Sequence, residues 1–342
     1  MKAAVIHEHG ELDKVRVEDV PKPSPGVGEV LVQVRAASLN HLDIWVRKGG
    51  RFSLPMPHVL GSDAAGLIVE LGHGVQGVEL GQEVTINPAL YCGHCEFCRQ
   101  GQQSLCADFS IVGASRPGTY AEFVTVPADN VLPKPAGMSF EQASTLGVAY
   151  VTAWRMLFTR AKVQPGDTVL IHGIGGGVAT AGLQLAKLGG ARVIVTSSSA
   201  EKLEHARRLG ADDAIDYSRQ DVVAAVRDYT AGRGVDIAFD AVGAATWQLD
   251  FDCLRRGGTI VLCGVTTGQQ ATTNLQQLYW NQLTVLGSTS GSLEDFRRMT
   301  AAMEHDHLEP VIDSVLPLDQ AVDAMRRMEE ARQLGKIVLK VS

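Results

Sequence analysis

Residues 168–190 read TVLIHGIGGGVATAGLQLAKLGG, and the reading of this stretch decides the fold. Its opening, TVLIHG, is a short apolar run rich in β-branched residues and bounded by glycine, the pattern of a buried strand. A run of glycines follows, and then Val178, Ala181, Leu185 and Leu188 recur at helical spacing as an expected buried stripe. A strand that turns through glycines into a helix lets backbone N–H groups approach a pyrophosphate at the positive end of the helix. Gly175, Gly176, Gly177 and Val178 are the expected contacts of that turn. The fingerprint G-x-G-x-x-G is incomplete, because Val178 stands where the third glycine would fall.

The segments further along support the same reading. Arg192–Thr196 has the pattern of a second strand, Glu201–Leu209 of a helix, Asp236–Asp240 of a third strand and Thr259–Cys263 of a fourth. Strands alternating with helices predict an α/β fold with a doubly wound parallel sheet. Sites for NAD carry an acidic residue at the end of the second strand, where it binds the ribose 2′-hydroxyl. Here that place reads Thr196-Ser197-Ser198-Ser199, with Lys202 just after. Hydroxyls and an ammonium suit a 2′-phosphate, so NADPH is the expected cofactor, with Ser197, Ser198 and Lys202 as contacts. The alternative is that these serines form a polar turn and cap the next helix. The 19 residues Thr168 to Ala186 carry no formal charge, about the length of a bilayer span. Five of them are glycines, and His172 and Gln184 interrupt the run, so no membrane span is expected.

Four of the six cysteines are clustered: Cys92, Cys95, Cys98 and Cys106. Two successive C-x-x-C steps and a fourth cysteine suit a tetrahedral zinc ion, which four thiolates close completely. Such an ion is structural and would hold the lobe from about residue 88 to 111. Two disulfides are the rival reading, disfavoured in a reducing compartment. His94 reads as a solvent-facing loop residue, and Cys253 and Cys263 as small core residues.

A chain of 342 residues predicts two domains. With 45% apolar and 20% charged residues it is not a disordered chain. A net charge of −7 argues against nucleic acid as its main partner. The charged start, Met1-Lys2, is unlike a secretory signal, and a cytoplasmic protein is expected.

Over essentially its whole length the sequence resembles the medium-chain dehydrogenase/reductase superfamily. The resemblance rests on PGVGEVLVQV at 25–34, GSDAAG at 61–66, the four-cysteine lobe, PGDTVLIHG at 165–173 and GKIVL at 335–339. It implies a GroES-like β-barrel catalytic domain over 1–147, a Rossmann cofactor domain over 148–288 and a return to the catalytic domain over 289–342. Zinc alcohol dehydrogenases of this superfamily hold a second, catalytic zinc, and the matching positions here are Asn40, Ser62 and Val148. None offers a thiolate or an imidazole. Asn40-His41-Leu42-Asp43, followed by Arg47 and Gly49, instead resembles the quinone oxidoreductase branch. That resemblance implies that Thr152, Val242 and Gly243 lie near the nicotinamide, Tyr217 near the adenosine phosphate, and Lys336 against the cofactor. The retained cysteine lobe sets the chain apart from many quinone reductases.

Together these features predict an NADPH-dependent reductase of quinones, 2-alkenals or other conjugated carbonyl compounds, with one structural zinc ion and no catalytic metal. Asn40 is the expected hydrogen-bond donor to the developing oxyanion, with a turn residue bonded to its own backbone as the alternative, and Asp43 is expected to orient Asn40, Arg47 or the nicotinamide ribose. The alternatives are a zinc-dependent alcohol dehydrogenase with irregular ligands, for which His41 and Asp63 are the neighbouring candidates, and an NADPH-binding module without turnover. NQLTVLGS at 281–288 resembles the edge strand through which superfamily members pair sheets, so a homodimer or homotetramer is expected.

Overall fold

The computed structural model describes residues 1–49 and 54–341. Two compact units emerge, Met1–Val151 with Gly291–Ser342, and Thr152–Ser290. The chain passes from the first to the second inside a helical stretch, where the turns Leu146–Tyr150 and Arg155–Arg160 are π-type and flank Val151–Trp154.

The first unit is dominated by β-structure. Its larger sheet runs in the order Val131–Pro133, Glu83–Ile86, Asp63–Leu71, Glu29–Ser38, Lys336–Lys340, Ile312–Pro317, and Phe123–Pro127 also pairs with Glu29–Ser38. A smaller sheet joins Val15–Asp19, Lys2–Ile6 and His58–Val59. Glu29–Ser38 is the organising strand: Val30, Val32 and Val34 enter the core with Ile68, Val84, Ile86 and Leu339. Its far end brings Ser38 opposite both Asp63 and Val338. The chain then turns at Asn40 into the helix His41–Lys48. Three polar segments distant in sequence thus meet at one end of one strand.

The second unit is a sheet of six parallel strands in the order Asp213–Asp216, Arg192–Ser197, Thr168–Ile171, Val235–Asp240, Leu254–Leu262, Thr284–Gly287. The expected doubly wound sheet is present. From Thr168–Ile171 the chain first moves to one side, to Arg192–Ser197, and later to the other, to Val235–Asp240. That reversal is the switch point at whose carboxyl edge such sheets bind ligands.

Several boundaries differ from the sequence reading. The strand expected over Thr259–Cys263 starts at Leu254, because Leu254 pairs with Val235 across an irregularity in register, and it is the fifth of this sheet in chain order because Asp213–Asp216 is also a strand. Residues 275–280, which carry no clear sequence pattern, form a helix capped by the Asn274 side chain accepting from Gln277 N–H. The helix Gly177–Leu188 buries every residue from Ala179 to Ala186, while Val178 and Leu188 are only partly covered. It is packed on all sides through its middle, so a stripe understates its burial. A Cβ on Gly182 would lie 2.9 Å from the Phe239 ring, which sets how closely this helix approaches the sheet. Phe239 is fully buried, and truncating it to Ala would cost about 3–5 kcal/mol.

Candidate functional site

In the parallel-sheet unit, the expected cofactor residues gather at the carboxyl edge. Gly175 has φ +121°, so the turn needs glycine for its backbone, and the Lys202 side chain lies against it, with Cδ 2.7 Å from where a Cβ would fall. Ile174 N–H donates to Thr196 O at 2.9 Å and ties the turn to the end of the second strand. Gly176 is the N-cap of a 12-residue helix whose first i→i−4 bond runs from Thr180 N–H to Gly176 O at 2.9 Å. The N–H groups of Gly177, Val178 and Ala179 therefore precede the helical ladder, as every helix start requires. A Cβ on Gly176 would meet nothing within 4 Å. Open space above unladdered N–H groups at a positive helix end fits a pyrophosphate.

Ser197 closes the second strand, buried, and its Oγ accepts from Ser199 N–H at 3.1 Å. Ser199 caps the next helix, its Oγ accepting from Lys202 N–H at 3.3 Å. The capping alternative thus describes Ser199, while Ser198 is exposed. Tyr217 N–H donates to Ser197 O at 3.2 Å, and its side chain is 52% exposed. Ser197, Ser198, Lys202 and Tyr217 are brought together beside Gly175. On the other side of the switch point, Cγ2 of Val242 lies 3.2 Å from the place of a Cβ on Gly173. Thr152 is buried in the helical stretch that opens this unit.

The sequence reading missed what shapes the second turn. The buried Asp240 carboxylate accepts from Val242 N–H at 2.6 Å, Gly243 N–H at 3.1 Å and Thr246 Oγ–H at 2.9 Å. Buried behind it, His172 Nε2 lies 3.1 Å from Asp250 Oδ1, and His172 Nδ1 lies 3.3 Å from Thr196 Oγ1. Burial pushes the Asp250 carboxyl up to about 7 and the His172 imidazole down. His172 is adjacent to the glycine turn in sequence, which was the available signal; Asp250 left none.

In the first unit, Asn40 and Asp43 sit in a buried polar network. Asn40 is 7% exposed, Asp43 and Lys336 are 2% exposed, and Asp63 is fully buried. Asn40 Nδ2 donates to Asp63 Oδ2 at 2.8 Å, and Lys336 Nζ donates to Asn40 Oδ1 at 2.6 Å. Asp63 also accepts from Ser38 Oγ–H at 3.1 Å and from Val148 N–H at 2.7 Å. A Cβ on Gly147 would fall 2.2 Å from Asp63 Oδ1, so this carboxylate packs directly on the helical turn. Asp43 Oδ2 accepts from Asn40 N–H at 2.7 Å and from the Tyr120 hydroxyl at 2.6 Å. Burial pushes Asp43 up to about 7, with those two hydrogen bonds opposing the shift and the Asp63 charge adding to it. Burial and the neighbouring Asp43 hold the Tyr120 phenol well above its usual range. Tyr120 lies 77 residues from Asp43 in sequence, and no local pattern announced it.

Of the positions expected to matter for a catalytic metal, Asn40 and Val148 both contact Asp63. Ser62 is buried, and its hydroxyl has no hydrogen-bond partner among the described residues. An amide, a hydroxyl and an aliphatic side chain do not make a zinc donor set. His41 is exposed at the first turn of its helix.

The cysteine lobe makes such a set. The four sulfur atoms of Cys92, Cys95, Cys98 and Cys106 all lie within 4.8 Å of one another, with Cys92 to Cys98 at 3.9 Å and Cys92 to Cys106 at 3.6 Å. Tetrahedral zinc with Zn–S near 2.3 Å requires S···S of about 3.8 Å. Cys95 N–H and Cys98 N–H each donate to the sulfur three residues earlier, both at 3.4 Å. All four are free thiols, so the disulfide alternative is not what forms. The base of the lobe is clasped by pairing of Ala89–Leu90 with Ser110–Ile111 and by Asn130 Nδ2, 2.6 Å from both Asn87 O and Ala89 O. His94 is exposed and bonds Cys92 O through Nδ1. Among the described residues this is the one group of three or more His, Cys, Asp or Glu side chains that converges in this way. Cys253 is fully buried as expected, and Cys263 only partly so.

Known proteins agree with this architecture. Residues 26–136 match the alcohol dehydrogenase GroES-like domain, and residues 177–305 match the zinc-binding dehydrogenase family. The chain therefore belongs to the zinc-containing alcohol dehydrogenase family of medium-chain dehydrogenase/reductases, a family of oxidoreductases. It is 35% identical to an NAD-dependent alcohol dehydrogenase of Sulfolobus acidocaldarius, over 100% of both chains. The crystal structure of an NAD-dependent alcohol dehydrogenase superposes with a TM-score of 0.96 at 42% identity, over 100% of both chains. A crotonyl-CoA carboxylase/reductase solved in complex with NADP superposes with a TM-score of 0.93 at 26% identity, covering 100% of this chain and 95% of that one. Within the described residues, no helix is long and apolar enough to cross a membrane.

Proposed function

We propose that this chain is an NADPH-dependent reductase of conjugated carbonyl compounds that works without a catalytic metal. The observation that carries the reading is Asn40, whose amide is clamped between the Asp63 carboxylate and the Lys336 ammonium at a position where metal-dependent relatives need a thiolate. One Asn40 N–H is used by Asp63, and the other is the donor available to a substrate oxygen. A nicotinamide held at the carboxyl edge of the parallel sheet would supply hydride for the alkene carbon β to the carbonyl. The electron pair displaced from the alkene then moves onto the carbonyl oxygen, and the Asn40 N–H stabilises the charge that develops there. A proton from water at the α-carbon completes the saturated product. Asp43 acts through Asn40, because its carboxylate holds the Asn40 backbone N–H and fixes the start of the helix.

Preference for NADPH over NADH rests on Ser197, Ser198 and Lys202, which offer hydroxyls and an ammonium where a carboxylate would repel a 2′-phosphate. Tyr217 would lie near the adenosine phosphate, while Thr152, Val242 and Gly243 would lie near the nicotinamide. The four cysteines would hold one structural zinc ion. A homodimer or homotetramer is supported by the edge strand Thr284–Gly287, where Val285 is 41% exposed, and by the neighbouring exposed Leu275, Tyr279 and Trp280. The cytoplasm is the compartment proposed.

The second reading, a zinc-dependent alcohol dehydrogenase, is favoured by the names of the relatives above. One comparison separates the two: oxidation of NADPH with a panel of 2-alkenals, enones and quinones, and reduction of NAD+ or NADP+ with a panel of alcohols, alongside metal analysis. The proposal expects turnover with one zinc per chain. Turnover only with alcohols and two zinc ions per chain would support the rival, and cofactor binding without any turnover would leave a binding module.

A further inference from the structure

We infer that Lys336 is a positioning residue for Asn40. The inference rests on the proposed reduction at Asn40 and assigns that site a fixed cation. Lys336 opens the strand Lys336–Lys340, and its backbone is held by its N–H donating to Val311 O at 2.9 Å. The next residue, Ile337, accepts from Leu39 N–H at 2.9 Å, so the backbone beside Asn40 is clamped to this strand. The Lys336 side chain turns inward. An ammonium has three N–H donors, and here the three acceptors are Leu39 O at 2.7 Å, Asn40 Oδ1 at 2.6 Å and Asp63 Oδ2 at 3.2 Å. A phosphate contact would have to break one of them.

The arrangement gives Asn40 a single orientation. Its oxygen faces an ammonium and its nitrogen faces a carboxylate, so a flipped amide would point donors at a cation and an acceptor at an anion. The ammonium also draws electron density from Oδ1, which strengthens the Asn40 N–H as a donor in a buried network. Asp63 balances the buried positive charge, which burial alone would make very costly.

The test compares Lys336→Met, Asn40→Ala and the double variant, reading NADPH Kd by equilibrium titration and kcat at saturating NADPH and substrate. Lys336→Met is expected to lower kcat about tenfold or more while NADPH Kd stays within about twofold, and to add nothing in the Asn40→Ala background. A rise of about tenfold in Kd with kcat retained would make Lys336 a cofactor ligand and overturn the inference, as would effects that multiply in the double variant. Should Asn40→Ala alone leave kcat unchanged, the reduction reading falls, and this role for Lys336 falls with it. If loss of the ammonium beside Asp63 prevents folding, Lys336→Met/Asp63→Asn keeps the buried pair neutral. That variant is expected to show the same loss of kcat at unchanged Kd.

Discussion

Two clusters in the same β-rich unit show how differently polar atoms can be held. In the lobe, four sulfurs converge to within 4.8 Å, and backbone N–H groups point at them. Around Asn40, the groups that meet are an amide, a carboxylate, an ammonium and a hydroxyl, and they bond to one another. The first set is complete only with a metal, because four soft donors have little attraction for each other. The second is complete by itself apart from one amide hydrogen. The difference separates a set of donors that needs a metal from a network of groups that satisfy one another.

Predictions that probe this contrast run from large to small. Stripping zinc, or replacing Cys98 with Ser, should cost several kcal/mol and lower Tm by about 10 °C or more, since structural zinc contributes folding free energy directly. Calorimetry checks this, and an unchanged Tm would remove the metal from the lobe. Asn40→Ala should reduce kcat about 100-fold, the typical loss of one oxyanion donor, with NADPH Kd nearly unchanged. Steady-state kinetics with a titrated Kd decides it. Ser197→Asp should lower the NADPH-to-NADH ratio of kcat/KM by about tenfold or more. A ratio that does not move would place the 2′-phosphate elsewhere.

The smallest effect concerns pH. Asp250 is pushed from 3.8 up to about 7 by burial, so the folded chain holds this proton more tightly than the unfolded chain. Its stabilising contribution is full below pH ~4 and is lost as pH rises through about 7. Asp250→Asn keeps the shape and removes the ionisation. Its Tm relative to the parent chain should therefore rise by a few degrees between pH 5 and pH 8, measured by thermal denaturation at both. Asp240, which the Asp250 charge helps to raise, and His172, 3.1 Å from Asp250, respond to the same change, so the difference reads the cluster centred on Asp250.

Local patterns carried much of this in advance. The glycine turn announces itself because strand, turn and helix are contiguous in Thr168–Leu188, and the cysteines because C-x-x-C spacing fixes their approach. Strand ends were less legible: Leu254 joins its sheet through Val235, a partner 19 residues away. The network was legible only as separate residues. Asn40, Asp43 and Lys336 could be singled out, but the contact of Lys336 with Asn40 spans 296 residues, and it is the sheet register that turns the lysine inward. Tyr120 and Asp250 were silent for the same reason, since burial and long-range partners leave no periodicity.

In the proposed reaction hydride reaches the alkene carbon β to the carbonyl and not the carbonyl carbon. Incubation with NADPH deuterated at the transferring position and a simple 2-alkenal tests it directly, with the product read by mass spectrometry and NMR. A saturated aldehyde carrying deuterium on the carbon β to the carbonyl is the predicted result. An allylic alcohol carrying deuterium on the former carbonyl carbon would contradict it.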